Sequence, residues 1–241
     1  MESKQLPSVM GKLPSVVAAK LEALRDSLVQ ALGEDLQALV VYGSAVRGGY
    51  VDGRSDVDLL VVVRDDGRAK LEAIGNALLL ARTSARIESM ILRGDELQKA
   101  ADVFPLLYDD VRSRHVLLHG EDPFAALEIS DAHRRLRVEQ ELREARIRLR
   151  LLLSEAPMLP RQLPGAVARK IKQLRSPLHA LLRLRGREVD DGIEPVMREA
   201  CSLYEADAGA LLRFEEAPQA AYDVLTGLLD AAIADVDVLE V

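Results

Sequence analysis

The chain has one cysteine, no tryptophan, three phenylalanines and five tyrosines in 241 residues. A single thiol excludes a disulfide framework or a cysteine-based zinc cluster within one chain. Cys201 lies in the helical-looking EACSLYEA and is expected to be a buried, inert thiol. The shortage of aromatics leaves few stacking platforms for the bases of a single strand. Positive charge is also short: the formal net charge is -7, which opposes whole-surface attraction to nucleic acid or anionic lipid while leaving room for a local basic patch. The start, MESKQLPSVMGKLPS, has no apolar core of signal-peptide length. No later uncharged apolar stretch reaches the roughly 18 residues that a bilayer requires. These absences predict a cytoplasmic protein with no membrane partner. LPSV occurs twice, at 6–9 and 13–16, but one close pair is no solenoid repeat.

Hydrophobic residues make up 49% of the chain, enough for one large domain or two modest ones. From Ser15, apolar residues recur at helical spacing to Leu32, and Gly33 supplies a stop. LQALVVY (36–42) and VDLLVVV (57–63) are continuous apolar runs suited to strands buried on both faces. A helix near 68–81 leads to a third strand in ARIESMIL, 85–92, and GDEL at 94–97 opens a short helix. FPLLYDDVRSRHVLLHGEDP then ends in a glycine-bounded turn near 120. After Pro123 no strand-like run follows. Helical patterns cover 131–155, with seven arginines between 134 and 150, then 166–185, about 194–206 and about 217–236. APMLPRQLPG, with three prolines, separates the first two. Strands first and helices after predict an α+β chain: a half with both strands and helices over residues 1–125, then an all-α bundle over 126–241.

The second strand carries an anomaly. Buried carboxylates are costly unless something neutralises them, yet SDVDLL places Asp56 and Asp58 two apart. Strand alternation puts both on one face with Cα atoms about 6.5–7 Å apart, so the two carboxylates can converge on one hard cation such as Mg²⁺. A solvated strand start explains the pair equally well on its own. The context favours the cation: the first strand runs into Gly43-Ser44, whose backbone N–H groups can approach phosphate oxygens. If AVRG opens a helix, its N-terminus adds to that attraction. Glu88 interrupts the third strand and could complete an ion site or accept a proton, or it could pair with Arg86 on an edge strand.

Taken together, GSAVRGGYVDGRSDVDLLVVV resembles the GS-x(n)-[DE]-x-[DE] signature of the DNA polymerase β-like nucleotidyltransferase superfamily, and the IES strand resembles its third acidic position. The resemblance covers residues 36–92. The seven residues Gly49 to Ser55 make the spacing to Asp56 longer than in aminoglycoside-modifying members, which bears on the loop path and not on the carboxylates. The resemblance implies a small mixed β-sheet flanked by helices in the first half, Mg²⁺ dependence, and transfer of a nucleoside monophosphate, AMP from ATP, with release of pyrophosphate. It implies that Gly43 and Ser44 contact the triphosphate, that Asp56 and Asp58 bind metal, and that Glu88 is a third ligand or the base. Arg47 is a phosphate partner or a solvated helix-start arginine.

The helical half resembles the C-terminal bundles of aminoglycoside nucleotidyltransferases. Lys172 and Arg175 share a helix face there and could reach triphosphate, or could form a solvated face. Arg175-Ser-Pro-Leu-His179 is similar to the Arg/His ribonuclease motif of HEPN domains, but three intervening residues are too few, and Pro177 is expected to interrupt the helix. The acceptor that follows from this reading is a small molecule, aminoglycoside-like. Two other acceptors are carried: a partner protein, as in antitoxin-type members that AMPylate, and an RNA end, which the basic helices permit and the few aromatics disfavour.

Overall fold

The computed structural model describes residues 13–155 and 160–241. The start of the chain, the first LPSV and the APML of the proline break lie outside the described residues. Backbone packing divides the chain into two compact units, one holding residues up to 101 and 108–128, the other 102–107 and 129–241.

The first unit is a four-stranded sheet with helices. Its strands are β1 (Leu36–Tyr42), β2 (Val57–Val63), β3 (Ile87–Arg93) and β4 (Val116–Gly120), in spatial order β3-β2-β1-β4. β1 pairs antiparallel with β2 and β4, while β2 and β3 are parallel. The parallel pair needs a crossover, which α3 (Arg68–Ala85) provides. α3 and α1 (Ser15–Leu32) cover one sheet face: Leu21, Leu24, Leu28 and Ile74 pack with Leu39, Val41, Leu59, Val61 and Ile87. Each such side chain contributes about 1.5–3 kcal/mol by leaving water, so this layer anchors the register of β2. Two shorter helices follow β3, α4 (Gly94–Lys99) and α5 (Pro105–Ser113). Tyr108 meets the Phe124 ring edge-on at 5.9 Å.

Three local expectations are corrected. β4 falls in HVLLHG, where only a turn was expected; it pairs with β1, which has a free edge beyond β2. α3 extends four residues past the expected 81 to Ala85 and is capped by Arg86, so β3 begins at Ile87 rather than 85. Pro177 does not interrupt its helix. α7 (Leu163–Leu184) continues through it, because Leu178, Leu181 and Leu182 beyond it are buried. Three buried leucines at about 1.5–3 kcal/mol each outweigh the roughly 3 kcal/mol that a mid-helix proline costs.

The second unit is helical: α6 (Asp131–Glu155), α7, α8 (Ile193–Leu203), α9 (Ala208–Leu212) and α10 (Pro218–Asp237). Its core joins Val138, Leu142 and Leu149 of α6 to Leu174 and Leu178 of α7, Met197 of α8 and Leu225 and Leu229 of α10. Cys201 lies in this core and burial pushes its thiol up to about 11.

Six of the seven arginines of α6 are answered within the unit. Arg146 pairs with Asp230 at 2.7 Å and Arg143 with Asp237 at 2.5 Å, and Arg135 donates to the Leu239 carbonyl at 2.9 Å. Arg134, Arg137 and Arg148 pair along their own helix with Asp131, Glu141 and Glu144. Exposed pairs of this kind contribute about 0–1 kcal/mol each, so their main effect is to cancel the helix's positive charge. Among the described residues no helix is long and apolar enough to cross a membrane.

Candidate active site

On the sheet face away from α1 and α3, three residues stand in line. Tyr42 at the end of β1 is opposite Asp58 in β2, and Asp58 is opposite Glu88 in β3. Residues opposite one another across a ladder present side chains to the same face, so strand register alone makes this row. Every residue of β2 is buried except Asp58. Burial pushes the Tyr42 phenol up to about 12, and the negative charge of Asp58 adds to the shift.

β1 ends at Gly43, whose φ of 74° and ψ of -148° turn the chain into the one-turn helix α2 (Ser44–Arg47). The Val46 and Arg47 N–H groups both donate to the Gly43 carbonyl at 3.2 Å. A Cβ on Gly43 would lie 2.0 Å from Asp58 Oδ2. The Asp58 carboxylate therefore rests against a backbone that no larger residue could supply, which sets the Gly-Ser turn beside the strand acid.

Asp56 lies just ahead of β2, and its Oδ1 is 2.8 Å from Nη2 of Arg86. Arg86 thus pairs with Asp56 and not with Glu88, the edge-strand partner considered above. Glu88 is exposed on β3, an outer strand of the sheet. The longer segment before Asp56 is a closed loop: Ser55 Oγ accepts from the Val51 N–H at 3.0 Å, and the Arg54 and Ser55 N–H groups donate to the Val51 carbonyl. Arg47 donates to the Asp110 carbonyl at 2.9 Å and lies 3.6 Å from its carboxylate, tying α2 to α5.

The two expected cations of the helical unit are not alike. Lys172 is exposed, whereas Arg175 is buried and donates to the Asp191 carbonyl at 3.3 Å. A hollow of about 280 Å³ in this unit is lined by Arg137, Glu141, Arg148, Lys170 and Gln173, and by neither predicted cation. The buried guanidinium makes Arg175 a bundle residue. Arg175→Met is expected to destabilise the protein by about 2 kcal/mol, the scale of a hydrogen bond made by a charged group, read as a lowered thermal midpoint. An unchanged midpoint would contradict that role.

Sequence reasoning passed over Tyr42 and over the pairing of Arg86 with Asp56; the Arg86–Glu88 pair was only the alternative reading of Glu88. Tyr42 was visible as the last strand residue before Gly-Ser, and Arg86 as the first residue of Arg-x-Glu. What neither shows in sequence is the register that sets them beside the aspartates.

Asp56 and Asp58 offer hard carboxylate oxygens, and Mg²⁺ is commonly held by one or two carboxylates with water and substrate phosphates completing its shell. The donor set fits such an ion. Among the described residues, no three histidine, cysteine, aspartate or glutamate side chains are gathered closely enough to form a three-ligand cage, so Glu88 does not complete one as placed.

Residues 21–148 match the family described as a nucleotidyltransferase domain. No curated protein matches the chain. Among solved structures, the fold is similar to that of the spectinomycin adenyltransferase AAD(9) from Enterococcus faecialis, determined with ATP and spectinomycin. The TM-score is 0.52 at 13% identity, over 91% of this chain and 98% of that one.

Proposed function

Because the chain belongs to the nucleotidyltransferase domain family, within the DNA polymerase β-like superfamily, we propose that it transfers AMP from ATP to a hydroxyl of a small-molecule acceptor. The reading is carried by one observation: Asp58 and Glu88 stand in register on one sheet face, with the Asp58 carboxylate against Gly43 of the Gly-Ser turn. In this reading the backbone N–H groups of the turn bind the outer phosphates. Asp56 and Asp58 hold Mg²⁺, which when bound polarises the phosphate oxygens and offsets charge on the leaving pyrophosphate. Glu88, exposed on the edge strand, accepts the proton of the acceptor hydroxyl. The acceptor oxygen then bonds to the α-phosphorus as the bond to the β-phosphate bridging oxygen breaks. Arg47 stays tied to Asp110 and steadies the turn. Acceptor binding is assigned to the helical unit, in which Lys172 is exposed.

The likeness to AAD(9), solved with ATP and spectinomycin, supports a nucleotide and a small-molecule acceptor. The pairing of most α6 arginines weighs against an RNA end, because a helix whose cations are largely neutralised offers phosphates little.

The test is incubation with each NTP and Mg²⁺ alongside aminoglycosides, small molecules from lysate, and proteins, with pyrophosphate release and adduct mass as readouts. An ATP-dependent AMP adduct on a small acceptor is expected. An adduct on protein would transfer the assignment to the AMPylating alternative, and no pyrophosphate release with any combination would overturn both. Glu88→Gln is expected to slow transfer by about 10²–10⁴, the usual contribution of a general base, with ATP binding little changed. Equal loss of both would make Glu88 a ligand.

A further inference from the structure

Arg86 has no part in the reaction as written, yet it touches Asp56, which does. Its Nη2 lies 2.8 Å from Asp56 Oδ1 and 3.5 Å from the Arg54 carbonyl. Its backbone is held on both sides: the Arg86 N–H donates to the Arg82 carbonyl at 3.0 Å, and its carbonyl accepts from the Val57 N–H at 2.9 Å. The residue is therefore fixed between the end of α3 and the start of β2, with Glu88 two positions on.

Its conformation is unusual. At φ 53° and ψ 39° Arg86 occupies the left-handed region, which among the described non-glycine residues it shares with Glu205 alone. Glycine suits such a helix end without the steric penalty of a Cβ. The backbone alone therefore gives no reason for arginine here, whereas the side chain has an evident task beside Asp56.

We propose that Arg86 is a positioning residue: an internal counter-ion that holds Asp56 while no divalent cation is bound and must let go for one to bind, so that it sets the affinity of the site for the cation. Asp56 and Asp58 lie at the start of β2, with Glu88 opposite Asp58 in β3, and one fixed positive charge at Asp56 lessens the repulsion among these negative charges in the empty state. The same charge repels an arriving dication and occupies an oxygen that the dication needs. Arg86 thus makes the empty site tolerable and the filled site dependent on sufficient cation. The inference rests on the assignment of Asp56 and Asp58 as metal ligands.

The experiment is a Mn²⁺ titration of the full chain without nucleotide, followed by electron paramagnetic resonance, for the native protein, Asp58→Asn, Arg86→Met, Arg86→Gly and Arg86→Lys. Asp58→Asn is expected to lose binding. Arg86→Met and Arg86→Gly should bind about fivefold tighter, the scale of a half-exposed ion pair, and Arg86→Lys should stay near native. Arg86→Gly also suits the left-handed backbone, so its thermal midpoint should equal or exceed the native value and guards against a folding failure in the methionine variant. Native-like or weaker binding in both neutral variants, with Asp58→Asn still deficient, would overturn the counter-ion role and leave the metal assignment standing. Mn²⁺ binding that ignores Asp58, or none at all, would overturn the metal assignment and the counter-ion role with it.

Discussion

Asp58→Asn is expected to reduce nucleotidyl transfer by about a thousandfold in a protein that stays folded. Asparagine keeps the shape of aspartate and removes its charge, so the packing of β2 is untouched while the hard anionic ligand is lost. Stabilisation of transition-state charge by a held cation amounts to several kcal/mol, and about 1.4 kcal/mol is one factor of ten. A second readout needs no substrate. The Asp58 charge helps to hold the Tyr42 phenol up at about 12, with burial the larger cause. A negative neighbour disfavours phenolate, so removing it should bring the alkaline titration of Tyr42 to lower pH without restoring the ordinary value. Pyrophosphate release within threefold of native would refute the catalytic assignment; an unmoved tyrosine titration would refute the neighbouring placement.

Gly43→Ala should be nearly as damaging, for a steric reason. The added Cβ would lie 2.0 Å from Asp58 Oδ2, and the backbone there has a φ of 74°. Left-handed strain costs about 1–3 kcal/mol, and the contact forces either the turn or the carboxylate to move. We expect a lowered thermal midpoint and at least about a hundredfold loss of transfer, since displacement of about 1 Å at a reacting centre costs that much. Gly48→Ala is the control: its φ is 85°, yet a Cβ there meets nothing within 4 Å. It should share the strain and spare the activity. Equal activity in the two variants would mean that the approach of turn to carboxylate has no catalytic weight.

The legible parts of the sequence were those whose physics is local. LQALVVY and VDLLVVV could be read as β1 and β2 because a mostly apolar run of seven, broken only by Gln37 or Asp58, has few other fates beside a glycine turn. The meeting of Gly43 with Asp58 could be anticipated from the motif. β4 was missed because five residues ending in His119 and Gly120 carry little periodicity, and only the open side of β1 makes them a strand. Helical spacing put Lys172 and Arg175 on neighbouring positions but did not say which would face inward; packing put Arg175 inside. The basic character of α6 misled for a related reason. The acids that answer Arg143 and Arg146 are Asp237 and Asp230, more than 80 positions away. The partner of Arg86 depended on where α3 stopped, which the sequence places only approximately.

β3 is an outer strand, and its outer side carries backbone donors and acceptors that the sheet does not pair. Such a row is a template for another copy of the chain, and charged side chains on the strand are a common defence. IESMIL would be a β-prone apolar stretch without Glu88. Glu88 is thus under two pressures, one from chemistry and one from solubility. An apolar replacement there could lose activity by self-association alone, so light scattering belongs beside any rate measured on it, and glutamine is the safer probe of the proton-accepting role.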